Sequence, residues 1–158
     1  IDLVPGHPNY IWLVAGKPGV YLGACAEFCG DQHANMRIRV VAEPEAEFRK
    51  WLDGQLAIPR TPTGGIAADG AKLFQTMACM NCHTIQGTAA AARVGPDLTH
   101  LADRATIGAG VLTNTPENLS KWLSNPQRYK QGSFMPNMKL SDSEVKSIVA
   151  YLEALDEQ

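Results

Sequence analysis

Two cysteines, a histidine and a methionine lie within 12 residues near the start of the chain. Cys29 follows Cys25 after three intervening residues, and His33 and Met36 come soon after. Thiolate, thioether and imidazole groups are the soft ligands that select copper over magnesium, calcium or manganese. This spacing lets all four side chains point inward from one tight loop, which predicts a copper site. The alternative is a disulfide between the two cysteines.

A second set of metal-binding residue types forms the pattern C-x-x-C-H. Covalent attachment of haem c uses this pattern: the thiols of Cys79 and Cys82 would reach the two vinyl groups, and His83 would reach the iron. A disulfide, a thioredoxin-like redox pair and half of a zinc site are the alternatives. A redox pair requires a βαβ setting, and a four-ligand zinc site requires a second pair of ligands. The sequence around this motif has neither, which favours haem.

The composition limits the classes of protein to consider. A chain of 158 residues with 45% hydrophobic content holds one ordinary domain or two small ones. The formal net charge of −2 gives no polybasic footprint for nucleic acid. No apolar run approaches the roughly 20 residues of a membrane helix, and no signal peptide pattern is present. Because the sequence begins at Ile1 without a methionine, we expect a fragment or a processed product.

The elements around the first motif have the pattern of β-strands. Residues 10–14 and 20–22 are short apolar runs rich in aromatic and β-branched residues, with a turn cluster between them. Residues 36–41 alternate polar and apolar side chains, as in a strand with one solvated face. The segment with the predicted copper ligands, Cys25 to Met36, therefore joins two predicted strands, and we call it the copper loop. Residues 43–56 then change to helical spacing.

The second motif lies in a part of the chain with helical periodicity. A segment rich in proline and glycine, residues 57–66, is predicted to be a linker, and residues 67–158 are predicted to form an all-α domain. Within that domain we expect a helix over residues 95–101. Thr115 is expected to cap a second helix, and Ser141 begins a capping box for the last one.

The second half resembles a class I cytochrome c, whose distal methionine lies on a loop before the C-terminal helix and is often followed by proline. Met135 and Met138 are the candidates for this sixth ligand, and Met135 fits better because Pro136 follows it. A His/Met axial pair closes both iron positions and raises the potential. By the same resemblance, the carbonyl of Pro96 would lie near the imidazole of His83 and orient it.

Other residues of this half have less specific signals. Trp122 would lie either against the haem or in the core, and aromatic residues at helical spacing are more often in the core. His100 is expected to be solvated or bonded locally. Met77 and Met80 are expected to be ordinary apolar residues near the haem.

The first motif, C-x-E-x-C-x3-H-x2-M, resembles the binuclear copper centre (CuA) of cytochrome c oxidase subunit II. The resemblance implies a cupredoxin-like β sandwich. It assigns Cys25 and Cys29 as thiolates that bridge two copper ions. His33 and Met36 become terminal ligands, and Glu27 contributes its backbone carbonyl. Delocalisation of charge over such a pair suits fast electron transfer.

The family uses a further histidine that lies before the first cysteine, at a position upstream of Ile1. We therefore expect the copper centre to be incomplete in this chain, unless His7 supplies the missing ligand. The β sandwich would also be partial, with an exposed edge. Without copper, the thiols of Cys25 and Cys29 would be free to oxidise to a disulfide.

Together the two halves resemble subunit II of a caa3-type terminal oxidase. Residues 1–56 correspond to the latter part of a CuA domain with a trailing helix, and residues 67–158 to a fused cytochrome c. The resemblance implies that electrons pass from a reductant, such as a cytochrome c or a bc1-type complex, through haem c and copper to the catalytic oxidase subunit I. It implies membrane attachment through segments outside this chain. The location would be the periplasmic or outer face of the bacterial inner membrane.

Two alternative functions stay open. Nitrous-oxide reductase also has a CuA domain and sometimes a fused cytochrome, but the residue at the position of Glu27 is typically aromatic there. The second alternative is a free electron-carrier cytochrome c with a vestigial copper domain. Intact copper ligands and two membrane helices in the upstream sequence would exclude it.

Overall fold

A computed structural model of the chain describes residues 1–155. Its strands and helices, in chain order, are β1 (Gly19–Ala24), β2 (Arg37–Ala42), α1 (Glu45–Leu56), α2 (Gly65–Thr76), β3 (Thr106–Ile107), β4 (Leu112–Thr113), α3 (Pro116–Ser124), α4 (Pro126–Tyr129) and α5 (Asp142–Glu153). Short 3-10 helices occur at His33–Asn35 and Ala78–Asn81. The predicted order, a β region followed by a helical region, is confirmed. None of the helices in this described part is long and apolar enough to cross a membrane.

The copper loop lies between two antiparallel strands, as predicted. β1 pairs with β2 in a register that runs from Gly19 opposite Ala42 to Ala24 opposite Arg37. A further hydrogen bond of 3.1 Å, from the Cys25 amide to the Met36 carbonyl, closes the base of the loop. The two ends of the loop are therefore held together by the same ladder that holds the strands.

The predicted strand at residues 10–14 is wrong. This segment has no helix or strand, and its side chains are exposed, with Tyr10 at 75% and Val14 at 97%. Strand propensity mainly reflects packing against neighbouring strands. The sheet that the described residues form in this half consists of β1 and β2 alone, so the segment has no strand to pair with.

Helices α2 and α5 cross at the centre of the second half. A Cβ on Gly70 would lie 1.9 Å from the carbonyl oxygen of Ser147, so the two backbones approach more closely than any side chain permits. Beside this crossing, the rings of Phe74 and Tyr151 meet edge to face with centroids 5.8 Å apart. The buried core around them includes Ile85, Leu101, Ile107, Leu119, Leu123, Val145, Ile148, Leu152 and Leu155.

The predicted helix caps are confirmed. The Ser141 hydroxyl accepts a bond from the Glu144 amide, and the Glu144 carboxylate accepts one from the Ser141 amide at 2.8 Å, which completes the capping box of α5. Thr115 caps α3 by accepting a hydrogen bond from the Asn118 amide at 3.2 Å.

The predicted helix over residues 95–101 is wrong, because hydrogen bonds within and beyond the segment hold it as a loop. The Leu98 amide donates to the Thr84 carbonyl at 2.8 Å. The Asp97 carboxylate accepts from the Thr99 amide at 2.8 Å, a local bond that competes with helix formation. The otherwise helical half also contains the short β3–β4 hairpin, which its periodicity did not predict.

Residues 57–64 connect α1 to α2 without a helix or strand. This connection packs against the second half, because a Cβ on Gly87 would lie 2.6 Å from Cγ2 of Ile58. The assignment of residues 57–66 as an interdomain linker stays a prediction.

Candidate copper and haem sites

The sulfur and nitrogen atoms of the copper loop converge. Cys25 Sγ lies 3.6 Å from Cys29 Sγ. Cys29 Sγ lies 3.7 Å from His33 Nδ1 and 3.7 Å from Met36 Sδ. The Glu27 carbonyl oxygen is 3.1 Å from Cys25 Sγ. The loop between β1 and β2 thus brings all five predicted ligand groups into one cluster.

His7 does not belong to this cluster. Within residues 1–155, the group that can share a metal ion consists of Cys25, Cys29 and His33, whose ligand atoms lie within 4.8 Å of one another. The His7 amide instead donates to the Val4 carbonyl at 3.0 Å in a separate turn. The structure gives no support to His7 as the substitute for the upstream histidine.

A cavity of about 470 Å³ opens beside α3 and α5. Both predicted axial residues, His83 and Met135, line it. Most of the remaining wall is apolar, and it includes Leu98, Leu101, Ile107, Leu119, Leu123 and Leu152. A largely apolar cavity of this size with a few polar groups is typical of a cofactor site.

The His83 ring is fixed on one side of the cavity. Its Nδ1 lies 2.7 Å from the carbonyl oxygen of Pro96. Gly95 passes so close to the ring that a Cβ there would lie 2.6 Å from Cε1 of His83. The loop that replaces the predicted helix therefore holds the imidazole, and Nε2 is left as the nitrogen that would bind a metal.

Met135 is held on the cavity wall by two side chains. Trp122 Nε1 donates to Met135 Sδ at 3.1 Å. Gln127 Nε2 donates to the Met135 carbonyl at 2.9 Å, and Gln127 Oε1 accepts from the Gly132 amide at 3.2 Å. Trp122 lines the cavity and packs against the core, so its predicted place in the core is confirmed and its contact with a haem stays a prediction.

Residues 67–156 of the chain match the family described as cytochrome c. The chain belongs to the cytochrome c family. Residues 1–43 match the periplasmic domain of cytochrome c oxidase subunit II. The predicted combination, a subunit II copper domain followed by a cytochrome c domain, is thereby confirmed.

Several curated relatives are similar to both halves of this cytochrome c family member. Cytochrome c oxidase subunit 2 of Alkalihalophilus pseudofirmus is 40% identical over 98% of this chain and 45% of that protein. The Bacillus subtilis protein of the same name is 34% identical over 86% and 39% of the two chains. That of Bacillus sp. PS3 is 32% identical over 98% and 46%. The chain spans less than half the length of these relatives.

The groups that line the cavity of the second half fit haem c. A bound haem would be covalently attached and would supply a one-electron carrier. His83 offers a nitrogen already oriented through its other ring position, and Met135 offers a thioether on the same cavity wall. Two cationic side chains, Arg104 and Lys130, also line the cavity and would suit the haem carboxylates. Burial lowers the pKa of Arg104, and the nearby Asp97 carboxylate opposes this effect.

The two cysteines that are predicted to attach haem lie near the start of the domain. Cys79 is in the 3-10 helix Ala78–Asn81, and Cys82 follows it directly. Both are half-buried thiols, and Cys79 packs against the core. Burial raises the pKa of the Cys79 thiol, and the neighbouring Cys82 adds to this effect. Their roles stay a prediction.

The copper loop fits a copper centre of the subunit II type. A zinc–sulfur bond is about 2.3 Å long, and at bond lengths of that order sulfur atoms 3.6 to 3.7 Å apart can share a metal ion. The hydrogen bond with Cys25 raises the pKa of the Cys29 thiol. Copper binding would therefore release thiol protons. Glu27 is exposed.

The remaining candidates of the second half have different surroundings. Met138 is half-buried and is not among the described residues that line the cavity. Met77 and Met80 pack against the core, as expected. Of the two predicted alternatives for His100, solvated or bonded locally, the structure agrees with the second, because the residue is only 7% exposed. Its local contact is with the Asp103 carboxylate, 3.9 Å from Nδ1.

Sequence reasoning missed three residues that hold the cavity: Gly95, Gln127 and Lys130. Gly95 directly precedes Pro96, and that adjacency was the one signal available. Gln127 and Lys130 lack any motif, since their roles depend on loops that meet only in the folded chain.

Proposed function

We propose that this chain is the electron-entry part of a haem–copper terminal oxidase of the caa3 type. It would pass electrons from an external reductant to the oxygen-reducing subunit I, with haem c and a binuclear copper centre as its carriers. The main support for this proposal is that one chain contains both a converging cluster of copper-type ligands and a cavity lined by His83 and Met135.

Each proposed ligand has one task. Cys79 and Cys82 would anchor the haem, and His83 and Met135 would close its axial positions, which suits electron transfer rather than gas binding. Pro96 would hold the His83 ring through its carbonyl. The copper centre would be held by Cys25, Cys29, His33, Met36 and the carbonyl of Glu27.

The partners follow from this assignment. A subunit II domain implies association with subunit I. The reductant would be a cytochrome c or a bc1-type complex, and segments outside this chain would attach it to the membrane. The match to a periplasmic domain supports a location on the periplasmic or outer side. Glu27 and the names of the relatives favour an oxidase over nitrous-oxide reductase.

Metal stoichiometry tests this proposal against the free-carrier alternative. The haem-loaded chain is incubated with copper under reducing conditions, and copper and iron are then quantified. We expect copper to bind in addition to haem, and that copper to be lost in a Cys25→Ser, Cys29→Ser variant with the haem unchanged. A chain that binds haem but retains no copper would instead support a free electron carrier with a vestigial copper domain.

A further inference from the structure

The rim of the haem cavity includes two surface segments that touch each other. Segments 108–110 and 130–133 both contribute residues to the cavity lining. Lys130 Nζ donates to the Gly108 carbonyl at 3.1 Å, which holds the segments together. A residue that contacts the outer surface of segments 108–110 or 130–133 therefore lies beside the haem cavity.

The copper loop makes such a contact through Gln32. This residue directly precedes the proposed copper ligand His33, and its Nε2 donates to the Gln131 carbonyl at 2.9 Å. The other end of the Gln32 amide accepts from Asn35 Nδ2 at 3.1 Å. Since both ends of the amide are used, the orientation of Gln32 toward the rim is fixed.

Two close approaches flank this hydrogen bond. Arg37, the first residue of β2, has its Cβ 3.6 Å from the position that a Cβ on Gly110 would take. Asp31 Oδ2 lies 3.8 Å from the corresponding position on Gly132. Gln32 therefore bonds to one segment of the rim, while Arg37 and Asp31 lie near the two segments.

Two hydrogen bonds through Gln127 connect this part of the rim to Met135. The Gly132 amide is bonded to Gln127 Oε1, and Gln127 Nε2 is bonded to the Met135 carbonyl. Through Gln32, the copper loop is therefore hydrogen-bonded to the loop that carries Met135, the proposed distal ligand. The His83 side of the cavity, formed by the Gly95–Pro96 loop, is not part of this contact among the described residues.

We propose that Gln32 is a positioning residue that docks the copper loop onto the Met135 side of the haem cavity. The inference rests on the proposed function, which it deepens by naming the side on which the two centres face each other. If haem c and copper occupy the two sites, docking would shorten the path of one electron from a reduced haem to an oxidised copper centre. This transfer forms no bond and moves no proton.

Nuclear magnetic resonance of the haem-loaded, copper-free chain tests the docking. An oxidised haem displaces amide resonances by an amount that depends on their position relative to the iron, and a reduced diamagnetic haem does not. The difference between the two spectra therefore locates β1 and β2 relative to the haem. In the unmodified chain we expect displacements in both strands that agree with the arrangement described above.

The variant Gln32→Ala removes the docking bond. One neutral hydrogen bond corresponds to about a fivefold change in the ratio of docked to undocked chains. We therefore expect smaller displacements in β1 and β2, while those in α5 stay unchanged and show that the haem environment is intact. Gln32→Glu, which has no donor for the Gln131 carbonyl, should have the same effect. Gln75→Ala, at an exposed position on α2, is the matched control and should change nothing.

Strand displacements that are absent in the unmodified chain, or that are unaltered in both Gln32 variants, would overturn the docking role. Because the measurement needs no copper, it is separate from the test of the proposed function. Copper uptake without strand displacements would refute the docking alone. Strand displacements without copper uptake would refute the proposed function alone.

Discussion

Met135 and Met138 offer the same thioether group, but the cavity distinguishes them. Met135 lines the same cavity as His83 and accepts a hydrogen bond from Trp122. Met138 follows on the same loop and does not line the cavity among the described residues. A ligand must reach the iron from the cavity wall, so the geometry favours Met135.

Replacing each methionine by leucine separates their roles. Met135→Leu is expected to open the sixth iron position and lower the haem potential, on the order of 100 mV within the about 0.8 V range that axial ligands control. Met138→Leu, the matched control, should leave the potential unchanged. Potentiometric titration followed by visible absorption measures both. If Met138→Leu lowers the potential and Met135→Leu does not, the ligand is Met138.

The residues that carry chemistry were predictable because their signal is local. The thiols, imidazole and thioether of the copper loop lie close in sequence, and one turn between paired strands brings them together. Gly95 and His100 were not predictable in the same way. The closeness of Gly95 to His83 and the burial of His100 depend on how distant segments pack.

At the scale of elements, the crossing of α2 and α5 depends on Gly70. A methyl group there would overlap the Ser147 carbonyl, so the helices would have to separate. We expect Gly70→Ala to lower the free energy of unfolding by about 1 to 3 kcal/mol, the usual range for overpacking. Denaturant titration of the haem-loaded chain measures this loss. Asp69→Ala, an exposed neighbour on α2, is the control, and equal stability of the two variants would contradict the packing argument.

The capping box of α5 gives a pH dependence with a defined sign. Hydrogen bonds from the Ser141 amide and hydroxyl hold the pKa of Glu144 below its usual value of 4.5. The stabilisation is therefore complete above about pH 4.5 and is lost as the pH falls through the folded-state pKa. The Glu144→Gln variant should lose less stability than the unmodified chain over that acid range. Parallel pH-dependent unfolding curves for the two chains would show that the carboxylate contributes no such stabilisation.

The sequence predicted those elements whose determinants are contained within them. The capping box and the Thr115 cap are short local patterns, and both helices begin where predicted. Residues 10–14 and 95–101 were predicted wrongly, because their structure depends on partners elsewhere. The first segment has no neighbouring strand among the described residues, and the second is bonded to Thr84.

At the scale of the whole molecule, the two halves were recognisable separately but their contact was not. Gln32 and Gln131 are 99 residues apart in sequence, and neither belongs to a motif. Their hydrogen bond places a copper-type loop beside the loop that presents Met135. This arrangement offers a physical reason why one chain combines both sites. A haem and a copper centre held side by side would exchange electrons without having to meet by diffusion.

We propose that electrons pass from the haem half to the copper half within one chain. Flash photoreduction of the haem in the copper-loaded chain tests it, with absorbance followed for both metals. We expect haem reoxidation to be matched electron for electron by copper reduction, at a rate independent of protein concentration. The Cys25→Ser, Cys29→Ser variant should show no such reoxidation. A haem that stays reduced beside oxidised copper, or a rate that rises with protein concentration, would contradict transfer within the chain.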